Sequence, residues 1–511
     1  MSKTLLDQLY FRTLAEVSGE RFDYIVIGAG AYGTSFAHKA LALDPRCRVL
    51  LLEKGSFLIP EHIQNLPPTY IDLNQQAGTT PWAYTGTEKF MPQIPYAGGR
   101  ALFWNAWVPQ PPRLEMPDWP EASVESLTDQ WLAAGRYLGR RYSLEAPGNA
   151  NASLGAVMRE RLFDGLDTIR NAIPAGNPAS LDSAMATAQG GAGGEWSKFA
   201  PIAVLVADVQ ADAARLAVVS EAEVLRLARS GDRIVGIETT QGQLAVNDAQ
   251  VILACNTLEA AFIVQRSAVG LPLVGKNLCG HIRSWLALRM PATEVPGCSD
   301  GLQVCAFYLP GQAADGRLLH THITVAHNPT PALSYDVLYK VLPDASMAQT
   351  LTTYQDPAYV VVMLHTMGEF LGERSASSWN YAGVNDSGQA VVHVVMRPGD
   401  HAFWGEMDRT TFDVGRVLAG EAAVQYQQTD GSWLAEPPPS IRNSGLVHEA
   451  GTFWMGEDPA GSVTDINGTV HGLVNLHGVG SMLFPRPGSF NPTLTGIAQS
   501  FGLAQRLAGA R

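Results

Sequence analysis

The chain has 511 residues, of which 46% are apolar and 16% charged, and a formal net charge of -13. That length points to two or three domains, and that composition excludes a disordered chain. The acidic balance, without a cluster of Lys and Arg, argues against nucleic acid and anionic membranes as partners.

In chain order, residues 1–8 lack the continuous apolar core of a secretory signal and read as an amphipathic helix. No run reaches the ~20 apolar residues of a membrane-spanning helix; even residues 251–264 are interrupted by Asn256, Thr257 and Glu259. A cytoplasmic protein is expected. Residues 23–27 then read as a buried strand of a parallel sheet, followed at once by Gly28-Ala29-Gly30-Ala31-Tyr32-Gly33. In such a unit the first glycine makes the tight turn, the second lets the backbone approach a pyrophosphate, and the third lets the helix pack on the strand. The helix is expected over residues 31–43 and stops at Asp44-Pro45. A second strand, residues 48–52, delivers Glu53, a carboxylate suited to ribose hydroxyls. Strand, turn, helix, strand and acid in order make a dinucleotide mould, which serves FAD and NAD alike.

Residues 96–107, Tyr-Ala-Gly-Gly-Arg-Ala-Leu-Phe-Trp-Asn-Ala-Trp, pair two glycines with two tryptophans and an asparagine. A Gly-Gly pair permits close approach of the backbone to another group. Residues 111–195 contain a helical stretch over 124–141 and the glycine-rich Gly190-Gly191-Ala192-Gly193-Gly194, read as a surface linker or a mobile loop. Residues 223–227 and 234–238 form two strands around Ser230-Gly231-Asp232, and residues 249–254 a buried strand returning to the first sheet. Residues 282–440 carry alternating segments, including 282–288, 359–364 and 391–396, expected to form an antiparallel sheet walling a substrate chamber. Trp379, Tyr381, Phe403 and Trp404 either line that chamber or are core residues. Near the end stand His448-Glu449-Ala450-Gly451-Thr452 and Gly488-Ser489-Phe490-Asn491-Pro492-Thr493-Leu494-Thr495. A histidine titrates near neutrality and can take a hydroxyl proton, and an asparagine amide can donate to an oxygen without titrating. Of the other histidines, His281 is placed at the chamber, while His365, His393 and His401 lie near strand-like segments and simply pack or hydrogen-bond. The five cysteines form no CxxC pair, and no histidine pair has metal-ligand spacing, so no metal is expected.

Taken as a set, these motifs resemble the glucose–methanol–choline (GMC) oxidoreductases, in particular their pyranose-oxidase-like bacterial branch. The shared features are the Gly28–Gly33 unit with Glu53, the Gly98-Gly99 segment, the His448-x-x-Gly451-Thr452 motif and Asn491-Pro492-x-Leu494-Thr495, with echoes at residues 274–278 and 480–485. The resemblance implies an α/β fold: an FAD-binding Rossmann-like domain and an α+β substrate domain built on an antiparallel sheet. Its parts fall at residues 1–110, 196–281 and 441–511 for the FAD domain, 111–195 for a connecting or lid segment, and 282–440 for the substrate domain. It implies that FAD is held by Gly28, Gly30, Ala31, Tyr32, Gly33, Glu53, Lys54, Gly98, Gly99, Arg100, Trp104, Asn105, Ala106, Val224, Ala254, Gly480, Ser481, Asn491, Pro492 and Thr493. It makes His448 the base and Asn491 its partner in oxidising a CH–OH group of a sugar, glycoside or other secondary alcohol, with oxygen, a quinone or another carrier taking the electrons. A non-redox lyase on the same scaffold, using His448 for acid–base work, is the alternative. The resemblance departs at Phe103, which stands where pyranose oxidases carry a flavin-linked histidine, so the FAD is expected to be non-covalent. It departs again at Arg100-Ala101, where a small hydroxyl residue is usual, and at Asn256–Glu259. Oligomeric state is not implied.

Overall fold

A computed structural model of the protein describes residues 4–142, 153–190, 195–267, 269–343 and 348–510. Its first layer is a five-stranded parallel sheet in the order Leu476–Gly478, Gln250–Leu253, Tyr24–Ile27, Val49–Leu52, Leu216–Val219. Every residue of the strands Tyr24–Ile27 and Val49–Leu52 is buried, as expected where helices cover both faces. The helix Ala31–Leu43 follows the first strand, as the sequence predicts, and packs against Pro201–Ala211 and the C-terminal helix Thr493–Gly509. The chain's last segment thus returns to its first, across about 460 residues, to close the mould.

A second, antiparallel sheet runs Gln303–Gln312, Leu318–His327, Tyr359–Phe370, Cys279–Pro291, Gln425–Gln427, Trp433–Leu434. The strand Arg442–Ala450 also pairs with Cys279–Pro291, with register shifts around His281. The long helix Pro398–Ala419 covers this sheet, and all ten residues of Leu318–His327 are buried.

Three expectations change. The stretch 124–141 is not one helix but Glu121–Thr128 and Trp131–Tyr137, followed by a strand at Arg140–Tyr142. Both helices pack on Thr493–Gly509, the turn between them letting Gln130 Nε2 donate to Gln505 Oε1 at 3.0 Å. Gly139 at φ +63° then reverses the chain. Second, residues 391–396 do not join the large sheet. The strand Ala390–Val394 pairs in parallel with Ala83–Gly86 and antiparallel with Tyr381–Val384. Third, His401 lies exposed on the helix Pro398–Ala419. Residues 191–194 of the glycine-rich loop lie outside the described residues. Val224–Ser230 and Arg233–Thr239 form the expected hairpin, extended by Gly242–Ala245.

Candidate active site

The turn after Tyr24–Ile27 is shaped by contact. Gly28 has φ +104°, and a Cβ there would meet Ala254 O at 2.7 Å; a Cβ on Gly33 would meet Gly28 O at 1.9 Å. Gly30 begins the helix Ala31–Leu43 and offers no side chain to its first amides, which leaves that helix end suited to an anion. Glu53 is buried: Oε2 accepts from Ala29 N at 2.7 Å and Oε1 from Gly55 N at 3.1 Å. Burial raises its pKa, with those amides opposing. The carboxylate therefore braces the glycine turn, with lone pairs remaining. Lys54 is paired with Glu223 and Glu259, and Val224 follows directly at the start of the hairpin.

The second glycine segment lies on the first. Gly98 N donates to Ala29 O at 2.9 Å, and a Cβ on Gly99 would meet Gly30 Cα at 3.3 Å. Both glycines have positive φ, so the close approach requires them. Arg100 donates to the buried Glu449, with Nη2 2.6 Å from Oε1. The arginine that departs from the family pattern thus anchors the residue next to His448. Phe103 is packed in the core beside Leu102 and Ile202. Trp104 is fixed by Nε1–H to Phe199 O at 2.9 Å and by its carbonyl, which accepts from His62 at 2.7 Å. Asn105 is half-buried and Ala106 buried at φ +60°. Tyr32 is wedged between Gly480 and Gly496, where a Cβ would strike its ring at 2.2 Å, and its hydroxyl donates to Pro492 O at 3.4 Å. Ser481 donates to Glu449 O at 2.7 Å, and Thr493 opens the C-terminal helix. The residues of the proposed mould therefore converge from three parts of the chain.

On the antiparallel sheet the polar site is a histidine cluster. Register places Tyr308 opposite His322, His322 opposite His365, and His365 opposite Trp285, one row across four strands. His322 stacks on Trp107 with centroids 4.2 Å apart and planes 3° apart. His448 is half-buried, with φ +58°, a conformation rare outside glycine and enriched at functional sites. Its Nδ1 lies 2.9 Å from His281 Nδ1, and His281 Nε2 lies 2.8 Å from Gly488 O. A carbonyl only accepts, so His281 carries its proton on Nε2. Burial pushes the His281 pKa down to about 4, with the Gly488 carbonyl opposing, so the ring is neutral and its Nδ1 is a lone pair. His448 must then carry its proton on Nδ1. Its own pKa is held well below the usual value by burial and neighbouring rings. The remaining Nε2 of His448 is a bare lone pair.

Asn491 is set in a complementary way. Its Oδ1 accepts from His322 Nε2 at 2.9 Å and from the Tyr308 hydroxyl at 3.4 Å. With the oxygen occupied, Nδ2 is the donor end. The site thus offers one proton acceptor, His448 Nε2, and one proton donor, Asn491 Nδ2: the two functions a substrate hydroxyl needs. Charge interactions couple His448 to His322 and His320, which places these rings in one cluster.

Sequence reasoning missed His320, His322, Tyr308 and Glu115. The first two carried a signal, since residues two apart on a strand share a face. Phe403 and Trp404 are core residues on the helix Pro398–Ala419. Tyr381 stacks on His393 in the small sheet, and Trp379 lies under Arg397; none of these four lines the histidine cluster. Among the described residues no group of His, Cys, Asp or Glu is arranged to hold a metal, and no helix is long and apolar enough to cross a membrane.

A parallel sheet with a glycine turn after its first strand, joined to an antiparallel sheet bearing a histidine cluster, defines a two-part α/β class. Residues 389–500 match the family model described as GMC oxidoreductase. The chain is 43% identical over 65 residues to paromamine 6'-oxidase of Streptomyces fradiae, covering 13% of this chain and 12% of that protein. It is 41% identical over 115 residues to 6'''-hydroxyparomomycin C oxidase of Streptomyces lividus, covering 21% and 19%. The matched segments therefore span less than a fifth of either relative. Its fold is similar to pyridoxine 4-oxidase from Mesorbium loti, with a TM-score of 0.61, 16% identity and coverage of 95% and 99% of the two chains. It is also similar to a formate oxidase of Aspergillus oryzae RIB40 studied for FAD modification, with a TM-score of 0.62, 15% identity and coverage of 97% and 99%. The C-terminal part of the chain, residues 389–500, is thus similar to the GMC oxidoreductases.

Proposed function

We propose that this protein is an FAD-dependent oxidoreductase acting on a CH–OH group of a sugar, glycoside or related alcohol. The observation that carries it is the fixed proton order Gly488 O, His281, His448, which leaves His448 Nε2 free as a base. The residues present fit FAD. Glycines 28, 98 and 99 let the two turns pack backbone on backbone, a Cβ on Gly30 would enter open space at an uncapped helix end, and Trp107 offers a buried indole N–H without a partner nearby. Residues 1–110, 196–281 and 441–511 are the proposed cofactor-binding parts, and 282–440 the substrate part. With phenylalanine at position 103, the proposed binding is non-covalent. Bound there, FAD supplies the acceptor for the electron pair released as an alcohol becomes a carbonyl.

The chain's own residues do the proton work. The substrate hydroxyl donates to His448 Nε2 and transfers its proton there, while its oxygen accepts from Asn491 Nδ2–H. That donor stabilises the growing negative charge on oxygen. Stacking on Trp107 and the sheet's buried faces exclude water around His322 and Asn491, which strengthens both interactions. A sugar-like substrate is proposed because two relatives are named for oxidation of aminoglycosides. Oxygen is the proposed acceptor because all four matched proteins are named oxidases.

The test is His448→Ala. The variant is expected to purify yellow and to lose about 10²–10⁴ of its turnover, the range for a positioned base. Anaerobic bleaching of the flavin by a panel of sugars and glycosides identifies the substrate. Full turnover in His448→Ala overturns the assignment, and a substrate converted without any bleaching favours the lyase reading instead.

A further inference from the structure

Behind Asn491 lies a continuous chain of hydrogen bonds that the proposed reaction does not use. His322 Nε2 is 3.1 Å from His320 Nε2, His320 Nδ1 is 3.3 Å from Ser489 Oγ, and Ser489 Oγ is 2.9 Å from Glu115 Oε1. Glu115 Oε2 accepts from the amides of Ser489 and of Phe490, the latter at 3.2 Å. All four side chains are buried. Each link has one proton to place, so the direction of the whole chain is set at its end.

We propose that Glu115, acting through Ser489, His320 and His322, fixes which end of the Asn491 carboxamide faces the substrate. Glu115 is thus a positioning residue. An ionised Glu115 only accepts. Ser489 O–H then points at it, His320 donates from Nδ1 to Ser489, and His320 Nε2 is a lone pair. His322 must therefore carry its proton on Nε2, where it also meets Asn491 Oδ1. The carboxamide oxygen is held inward and the N–H end is presented to the site. A neutral donor at Glu115 reverses every link. Ser489 then donates to His320 Nδ1, and His320 donates from Nε2. His322 faces Asn491 with a lone pair, and the carboxamide must turn its N–H inward and its oxygen to the substrate. The reversed order also leaves a proton on His322 Nδ1, which is buried without a partner, and an unmet buried donor is unfavourable. The Tyr308 hydroxyl can donate or accept and follows either order.

The groups facing Glu115 are the Ser489 and Phe490 amides, Glu369 in its pair with Arg486, and the Tyr308 phenol. Burial raises the Glu115 pKa, the Ser489 amide opposes and the Glu369 charge adds, for a result of about 8. His320 and His322 stay neutral because burial pushes both far down, His322 to about 3. Turnover should therefore rise with pH through about 8 as Glu115 ionises.

The experiment is Glu115→Gln in the flavin-loaded enzyme, compared with the parent above pH 8, where the parent's Glu115 is ionised; the new amide keeps the backbone contacts and donates to Ser489. This inference rests on the donor role given to Asn491, so two readouts are needed. In ¹⁵N-histidine-labelled protein, His320 is expected to move its proton from Nδ1 to Nε2 and His322 from Nε2 to Nδ1. In kinetics, kcat is expected to fall about 10²-fold, the loss for one oxyanion donor, with KM little changed and the rise near pH 8 gone. In an Asn491→Ala background Glu115→Gln should add no further loss. Ser489→Ala, which removes only one hydroxyl, should uncouple the histidines from Glu115. Unchanged tautomers in Glu115→Gln overturn the proposal, as does the same loss in Asn491→Ala. Switched tautomers with untouched turnover uphold the chain and overturn the catalytic reading of Asn491.

Discussion

A proton's place on an imidazole decides whether His448 is a base or a donor, and here that place is set two residues away. The Gly488 carbonyl admits only one tautomer of His281, and that tautomer admits only one of His448. Replacing His281 by Phe removes the acceptor, so His448 is free to rotate and to carry its proton on either nitrogen. His281→Phe is expected to lower kcat by about 10²-fold, the lower end for a positioned base, with KM little altered. His281→Gln should retain much of the rate, because a carboxamide can accept from His448 while donating to Gly488. Steady-state kinetics on the two flavin-loaded variants makes the comparison, and equal losses in both would reject the orienting role. At this scale the sequence was partly legible. His448 and Asn491 stand in motifs, and His281 begins a readable strand. His320 and His322 alternate on one strand face, a pattern present in the letters and passed over. Glu115 had no local signal at all, because its neighbours Ser489 and Phe490 are more than 370 positions away.

At the scale of elements, reading worked where structure is local. The strand, glycine turn and helix over residues 24–43 are decided by their own spacing, and the structure reproduces them. It failed where tertiary packing decides. The helix over 124–141 breaks because two short helices must both meet the C-terminal helix, and the strand at 390–394 finds its partner some 300 residues upstream. The same long-range closure predicts a steric coupling. Gly496 lies in the C-terminal helix, and a methyl there would stand 2.2 Å from the Tyr32 ring. Gly496→Ala is expected to destabilise the protein by about 1–3 kcal/mol through overpacking. Tyr32→Ala removes the obstacle but opens a cavity, at a cost of about 3–5 kcal/mol. In the double variant the new methyl no longer meets a ring, so the combined loss should fall short of the sum. Urea unfolding of the three variants measures this, and strict additivity would show that the wedge is absent.

For the whole molecule, the set of histidines held neutral by burial has a consequence for acid stability. Burial lowers the pKa of His62, His322 and His477 to about 3 and of His281 to about 4, and holds His320 and His448 well down. In the unfolded chain each takes a proton near pH 6.5, while the folded protein takes none until far lower. Stability is therefore full above 6.5 and is lost as pH falls towards the folded values, by about 1.4 kcal/mol per pH unit for each histidine. Burial raises the pKa of Glu53, Glu115 and Glu369, and raised carboxyls act oppositely, losing stability as pH rises through their folded values. Even with all three opposing, three protons remain in the balance, about 4 kcal/mol per pH unit. Against a total stability of about 5–15 kcal/mol, two pH units remove about 8 kcal/mol, a large share of it. Thermal melts should therefore show a steep fall in Tm between pH 6.5 and 4.5, and a flat profile would refute the neutral assignment. His477 offers the control. It lies away from the histidine cluster, bonded to Gln250 Oε1 at 2.8 Å and Thr469 Oγ1 at 3.2 Å. His477→Gln should remove one proton from the acid transition, flattening its slope by about 1.4 kcal/mol per pH unit, while turnover at neutral pH stays that of the parent.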